Sequence, residues 1–277
     1  MTTSKYTVLN DARFVSIKGE DKKDFLQGII TNDINKCTNE NILYSCLLTP
    51  QGKFISDFFI FKKDEKFIIE IHSFFYEKLL KKISLYKLRS KVLINEKTNL
   101  NSYSVFGDLK KDEGTILFTN DPRNKNIGHK LIHEQQHPEI LNHFNEIDEK
   151  KYHEILIQNT VPLSHYDLEE NKSLLLENNF ENLNSISWEK GCYIGQEITA
   201  RMKYRALLKK RIYSLTVKEG SPKVEQSIKE NGSDYGKIIS IENDSILAMI
   251  KIELAEKKIN AQQQIKTEEG LILDIIA

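Results

Sequence analysis

Apolar positions change their spacing along this chain, and each change marks an element. Residues 6 to 17 read as extended. Beyond Gly19-Glu20-Asp21, the run Lys22 to Ile30 carries Phe25, Leu26, Ile29 and Ile30 at helical intervals with acids near its start, which predicts an amphipathic helix. Leu43 to Leu48 and Phe54 to Phe61 are apolar and aromatic-rich. Thr49-Pro50-Gln51-Gly52-Lys53 between them supplies turn geometry, so the pair predicts a β-hairpin. Phe67 to Ile71 adds a further strand. Phe75, Leu79, Leu80, Ile83 and Leu88 recur at helical intervals over residues 74 to 88, and Lys91 to Ile94 is extended again. Strands flanking a helix in this way indicate an α+β sheet domain.

Asp121-Pro122-Arg123 marks a later turn. Residues 146 to 160 are helix-like and stop before Val161-Pro162, because proline disfavours helical geometry in the residue before it. A polar, Asn-rich connection follows to about residue 182. From Arg211 onward the apolar segments become short: Arg211 to Val217, Gly236 to Ile241, Ser245 to Ile252 and Leu271 to Ile276, punctuated by Gly220, Pro222, Gly232 and Gly270. That pattern predicts a small all-β unit. There is no internal repeat and no heptad pattern.

Composition narrows the classes of function. The 277 residues, 39% of them hydrophobic, suffice for two or three structural units. Forty basic and forty acidic side chains cancel, so no whole-molecule field draws the protein onto nucleic acid or anionic lipid, and no direct nucleic-acid or membrane partner is expected. No apolar run approaches the span of a bilayer, and the start, MTTSKYTVLNDARF, lacks the order of a secretory signal. Three cysteines, Cys37, Cys46 and Cys192, without a C-x-x-C pair, argue against a disulfide framework or a complete cysteine metal cage and fit a reducing cytoplasm. His129, His133 and His137 are spaced four apart, but Gly128 and Pro138 bound the segment and no H-E-x-x-H motif is present. A solvated polar face is expected there, and no metal site. Phosphate-cradling and dinucleotide fingerprints are both missing.

The densest chemistry lies between Trp188 and Arg201, where Gly191 and Gly195 bracket Cys192 and Gln196 can start a helix with Glu197 and Arg201 four apart. A thiol just before a helix N-terminus, with Lys190 two residues earlier, is in a setting that favours the reactive thiolate. A small buried hydrophobe in a tight turn fits the same residues.

Lys190 to Arg201 reproduces without a break the pattern K-G-C-Y-x-G-Q-E-x-x-A-R, and so resembles the signature of the YgfZ family, related to the glycine-cleavage T-protein. Weaker markers of that family follow in order across most of the first 205 residues: Asp24 to Gly28, Thr31-Asn32-Asp33, Pro50 to Lys53 with Asp57, Leu88 to Val92, Asp121-Pro122-Arg123 and Glu177-Asn178-Asn179. The resemblance implies a T-protein-like fold: two intertwined α+β lobes over residues 1 to 205, a C-terminal β-barrel over residues 206 to 277, and tetrahydrofolate or a derivative in the central opening.

It further implies a factor that supports assembly or repair of iron–sulfur cluster proteins, including tRNA-modifying radical enzymes, through Cys192 poised by Lys190. Four protein thiolates commonly hold cluster iron, so a transient cluster would be shared with a client or scaffold protein. By motif position, Glu177 is the candidate for the pterin edge and Asp57 for the acid near the reactive folate nitrogen, although each also fits a solvated or hydrogen-bonded acid. Gln27, Asn32, Gln196, Glu197 and Arg201 are further candidates to line the folate site. The alternative activity is a folate-dependent aminomethyl or one-carbon transferase. This chain departs from the pattern at Ala206, where the family usually has Gly, and at Leu175, where Pro is common. T-proteins have paired acids where it has Ser56-Asp57.

Overall fold

The computed structural model describes residues 4–97, 99–205 and 207–276, so Ala206 lies outside the described residues. The chain enters one sheet and leaves it at once. Strand Lys5–Val8 pairs with Asn101–Phe106 on one side and with Asn145–Glu146 on the other, and this five-stranded sheet continues through His129–His133 to Thr115–Asn120. Residues 12 to 97 meanwhile build a second five-stranded sheet, in the order Ile42–Leu48, Phe54–Lys63, Lys66–His72, Ala12–Lys18, Leu93–Lys97. One lobe is thus inserted between the first and second strands of the other, and the two are intertwined.

Two-residue periodicity explains how the second sheet holds two layers at once. Phe14, Phe61 and Ile68 face the first lobe and pack with its Leu100, Leu117 and Ile132. Their neighbours Val15, Ile60 and Ile69 point the opposite way, into the main core with Leu26, Leu79 and Ile83. Leu26 comes from helix Lys22–Ile29, and Leu79 and Ile83 from helix Ser73–Lys87, both where the apolar spacing predicted them. The covering of both faces leaves Ile42–Leu48 buried along its whole length.

The C-terminal part forms a six-stranded, nearly closed, barrel-like sheet in the order Ser227–Glu230, Ser233–Glu242, Ser245–Lys251, Lys210–Glu219, Ile272–Ile276, Ile265–Lys266. It is not all-β. Ile252, expected at the end of a strand, opens helix Ile252–Asn260, whose Ala255 is buried in the barrel core with Leu254 and Ile259 packed around it. Ile157, Ile212 and Leu247 join this unit to the lobes, and the Ile212 amide donates to the Glu177 carbonyl at 2.8 Å.

His129 and His133 lie on a strand. His133 is buried, with Nε2 2.9 Å from Asp112, and His129 stacks on Phe118 at 4.8 Å, whereas His137 is exposed. The expected solvated polar face therefore holds for His137 alone of the three. Among the described residues no group of three or more His, Cys, Asp or Glu side chains is placed to hold a metal, and no helix is long and apolar enough to cross a membrane.

Charge is buried where the lobes meet. Lys130, wholly buried on the first lobe, donates to Glu70 of the second at 2.6 Å and to Ser102 at 2.9 Å. Removing one partner of such a pair leaves an uncompensated charge, at a cost of about 3–5 kcal/mol. Denaturant unfolding of Lys130→Met is expected to show a loss of about that size. The double variant Lys130→Met with Glu70→Leu is expected to recover part of it, and equal losses in both would show that the pair is not the joint.

Candidate functional site

The motif segment is fixed by a buried lysine. Lys190 Nζ donates to the carbonyls of Gln27 at 2.8 Å, Ile30 at 2.7 Å and Asn32 at 2.9 Å, and so satisfies all three of its N–H groups on the last turn of the first helix and the loop that follows it. It also lies 4.9 Å from the centre of the Tyr193 ring. Burial pulls this ammonium down to about 8, against the opposing pull of the Asp33 carboxylate. Lys190 thus ties residues 188 to 195 to the end of helix Lys22–Ile29 and the residues just after it.

Two glycines complete the attachment. Gly195 has φ +86°, and a Cβ there would come within 2.6 Å of the Thr49 carbonyl. A Cβ on Gly52, with φ +69°, would meet Ile198 at 2.8 Å and the Gly195 carbonyl at 3.0 Å. The hairpin turn and the motif therefore approach each other closely enough to require glycine on both sides. Helix Gln196–Tyr204 starts directly after this contact.

Cys192 is exposed, four residues ahead of that helix, while Cys37 and Cys46 are buried. Burial pushes the Cys37 thiol up to about 12 and the Cys46 thiol well above its ordinary range. The tight-turn reading of Cys192 as a small buried hydrophobe therefore fails.

The remaining predicted residues divide. Gln27 donates to Asp33 at 2.9 Å and accepts from the Ile34 amide at 2.9 Å; Asn32 donates to the carbonyls of Tyr44 and Asn184 at 2.8 and 2.7 Å. Gln196 accepts from the Tyr193 amide at 3.3 Å, and Glu197 and Arg201 are exposed on the helix. Glu177 sits 3.7 Å from Lys210. Asp57 stands apart from all of these.

Asp57 lines a cavity of about 380 Å³ between the lobes, and none of the other predicted residues lines it. The Tyr44 hydroxyl donates to Asp57 at 2.5 Å, and burial, followed by the Asp57 charge, holds that phenol well above its ordinary range. Phe58, Phe59 and Phe75 give the cavity an apolar wall. Besides Asp57, its polar lining includes residues that the sequence reading did not select for the site, among them Glu70, His72, Arg123, Lys130 and His165. Arg123 is paired in a fork with Asp121, at 3.0 and 2.8 Å, and donates to Tyr152 at 3.1 Å. The sequence signal for it was present in Asp121-Pro122-Arg123, read only as a turn and a family marker. Glu70 and Lys130 gave none, since a single acid or base in an apolar strand reads as a solvent-facing position. His72 and His165 stack with ring centres 3.8 Å apart, and burial holds both below the ordinary value of 6.5.

Residues 9–111 match the family model described as the GCVT N-terminal domain. Across 99% of this chain and 85% of the other, the fold superposes on the aminomethyltransferase T of the Bartonella henselae glycine cleavage system, with a TM-score of 0.74 at 9% identity. The mitochondrial iron–sulfur cluster assembly factor IBA57 of Mus musculus is 26% identical over 97% of this chain and 82% of its own length. The tRNA-modifying protein YgfZ of Aliivibrio fischeri is 26% identical over 95% and 88%. The chain belongs to the YgfZ/IBA57-type family, related to the aminomethyltransferases. A Neurospora crassa IBA57 homolog is 31% identical over 74% of this chain, which spans about half, 52%, of that relative's length. The YgfZ/IBA57-type motif is thus seen here as an anchored segment presenting one accessible thiol, with the interlobe cavity lined by a different set of residues.

Two outcomes follow from this geometry. Lys190→Met leaves three carbonyls without their charged donor, and is expected to cost about 2–4 kcal/mol and to expose residues 188 to 195 to limited proteolysis. Unchanged stability and protection would remove its anchoring role. The histidine stack sets a pH dependence. Because both folded-state values lie below 6.5, the unfolded chain binds more protons as pH falls through that region, so stability is full above it and declines below. Unfolding midpoints between pH 7.5 and 5.5 are expected to fall, and to fall less in His165→Gln; an equal decline in the variant would assign the effect to other groups.

Proposed function

We propose that this chain binds a reduced folate between its lobes and supports the assembly or repair of iron–sulfur cluster proteins, among them enzymes that modify tRNA. The observation that carries the reading is Cys192. It is the one exposed thiol of three, on a segment fixed by Lys190, in a chain whose relatives are named for cluster assembly and tRNA modification. One thiolate cannot hold a cluster. The cluster is therefore cargo, shared with thiolates of a client or scaffold protein, and Lys190 acts by setting where the thiol is presented.

The interlobe residues fit a folate. A volume of about 380 Å³ is within the usual range for small-molecule sites, and a phenylalanine wall suits the flat face of a pterin. Asp57 and Glu70 supply carboxylate acceptors for ring N–H groups, and Oε2 of buried Glu70 has no hydrogen-bond partner among the described residues. When bound, tetrahydrofolate supplies ring nitrogens that carry one-carbon units. The chain's own residues exclude water from them and orient the ring. Asp57 also favours the alternative reading as a one-carbon transferase, because an acid in the cavity can sit beside such a nitrogen.

The test is anaerobic cluster transfer to an apo client enzyme by wild type, Cys192→Ala and Asp57→Asn, with tetrahydrofolate titrated in parallel. Cys192→Ala is expected to fold normally, bind folate as wild type does, and lose at least tenfold in transfer rate. Full transfer by Cys192→Ala would remove the thiol from the function. Aminomethyl turnover that survives Cys192→Ala and disappears in Asp57→Asn would establish the transferase instead.

A further inference from the structure

Glu70 is only 4% exposed, lines the interlobe cavity, and uses its two oxygens differently. Oε1 accepts from Lys130 Nζ at 2.6 Å and from the Ser102 hydroxyl at 2.7 Å, which fills its two lone-pair directions. Oε2 is shielded from solvent and receives no hydrogen bond among the described residues. A buried carboxylate oxygen left in that state is costly, and native structures rarely leave one without a purpose.

The rest of the cavity does not answer it. Arg123, the second buried cation there, is directed to Asp121 and Tyr152. Oγ of Ser164 and Nε2 of His153, also lining the cavity, are themselves buried without partners. The carboxylates of Asp11, Asp57, Glu70, Glu146, Asp148 and Glu149 also line the cavity, so its complement is a ring that presents several N–H groups.

Resting on the folate reading, we infer that Glu70 is the residue that recognises the pterin: Oε2 accepts from the amino-pyrimidinone edge, while Lys130 and Ser102 hold the carboxylate in place through Oε1. Glu177, selected by motif position, has its carboxylate 3.7 Å from Lys210 and does not line the cavity. Lys130 and Ser102 are positioning residues. They occupy Oε1, which leaves Oε2 as the free acceptor.

The experiment is a calorimetric titration with tetrahydrofolate and with its 2-desamino analogue, which lacks one donor on that edge, against wild type, Glu70→Gln and Glu177→Gln. Glu70→Gln is expected to weaken tetrahydrofolate at least tenfold, and Glu177→Gln less than twofold. The analogue is expected to bind at least tenfold more weakly than tetrahydrofolate to wild type and to Glu177→Gln, and to show little further deficit in Glu70→Gln. Tetrahydrofolate binding to Glu70→Gln within twofold of wild type overturns this inference and leaves the folate reading standing. No binding to wild type overturns both. If Glu70→Gln fails to fold, the analogue decides: a deficit that persists in Glu177→Gln supports Glu70, and one that vanishes there moves the contact to Glu177.

Discussion

Opposite charges buried between two intertwined lobes set the geometry of this molecule. Glu70 and Lys130 come from different sheets, and both are sealed from water. Each ion would cost several kcal/mol to bury alone, so the lobes are stable only in the relative position that brings the two together. Apolar contacts among Phe14, Phe61, Leu117 and Ile132 supply adhesion but tolerate sliding; the ion pair, with Ser102 as a third member, does not. A cavity survives beside it because the charged groups need space and directed partners that close apolar packing would deny them. Asp121, Arg123 and Tyr152 form a second buried polar cluster, of which Arg123 and Tyr152 line the same cavity.

The same economy governs the cysteine segment, with a different outcome. There a single ammonium is buried against three backbone carbonyls, and no carboxylate touches it directly. Backbone acceptors cannot change rotamer, so this arrangement fixes the chain path of residues 188 to 195 more firmly than a surface ion pair would. Gly52 and Gly195 then allow the hairpin turn to press against it. In this motif Lys190 and Gly195 serve placement, and Cys192 stands exposed between them.

Much of this was legible in the sequence, and the boundary has a physical cause. The helices Lys22–Ile29 and Ser73–Lys87 and the hairpin from Ile42 to Lys63 were plain, because their apolar residues recur with a period the backbone enforces. The strands Asn101–Phe106, Thr115–Asn120 and His129–His133 were not, since Ser102, Ser104, Lys130 and His133 are polar yet buried, and break the alternation that signals a strand. Those residues are also the ones that build the joint and the cavity wall. Motif position singled out Asp57, which lines the cavity, and Cys192, which is exposed; both are local features, of a turn-strand and a loop. It did not single out Glu70, whose burial depends on Lys130 sixty residues away.

The cavity and the thiol are built from separate parts of the chain, and that separation bears on how they work together. Cys192 does not line the cavity, so a bound folate and a cluster held at the thiol would be coupled through structure if they are coupled at all. Continuous backbone connects them: Asp57 lies opposite Cys46 on the strand Ile42–Leu48, whose end leads into the turn that Gly195 contacts, and the Thr31 hydroxyl accepts from the Cys46 amide beside the loop gripped by Lys190. A ligand that tightened the strand pair at Asp57 would stiffen the platform on which the thiol stands. Folate would then act on cluster handling by ordering the presentation of Cys192, and no chemical contact between the two would be required.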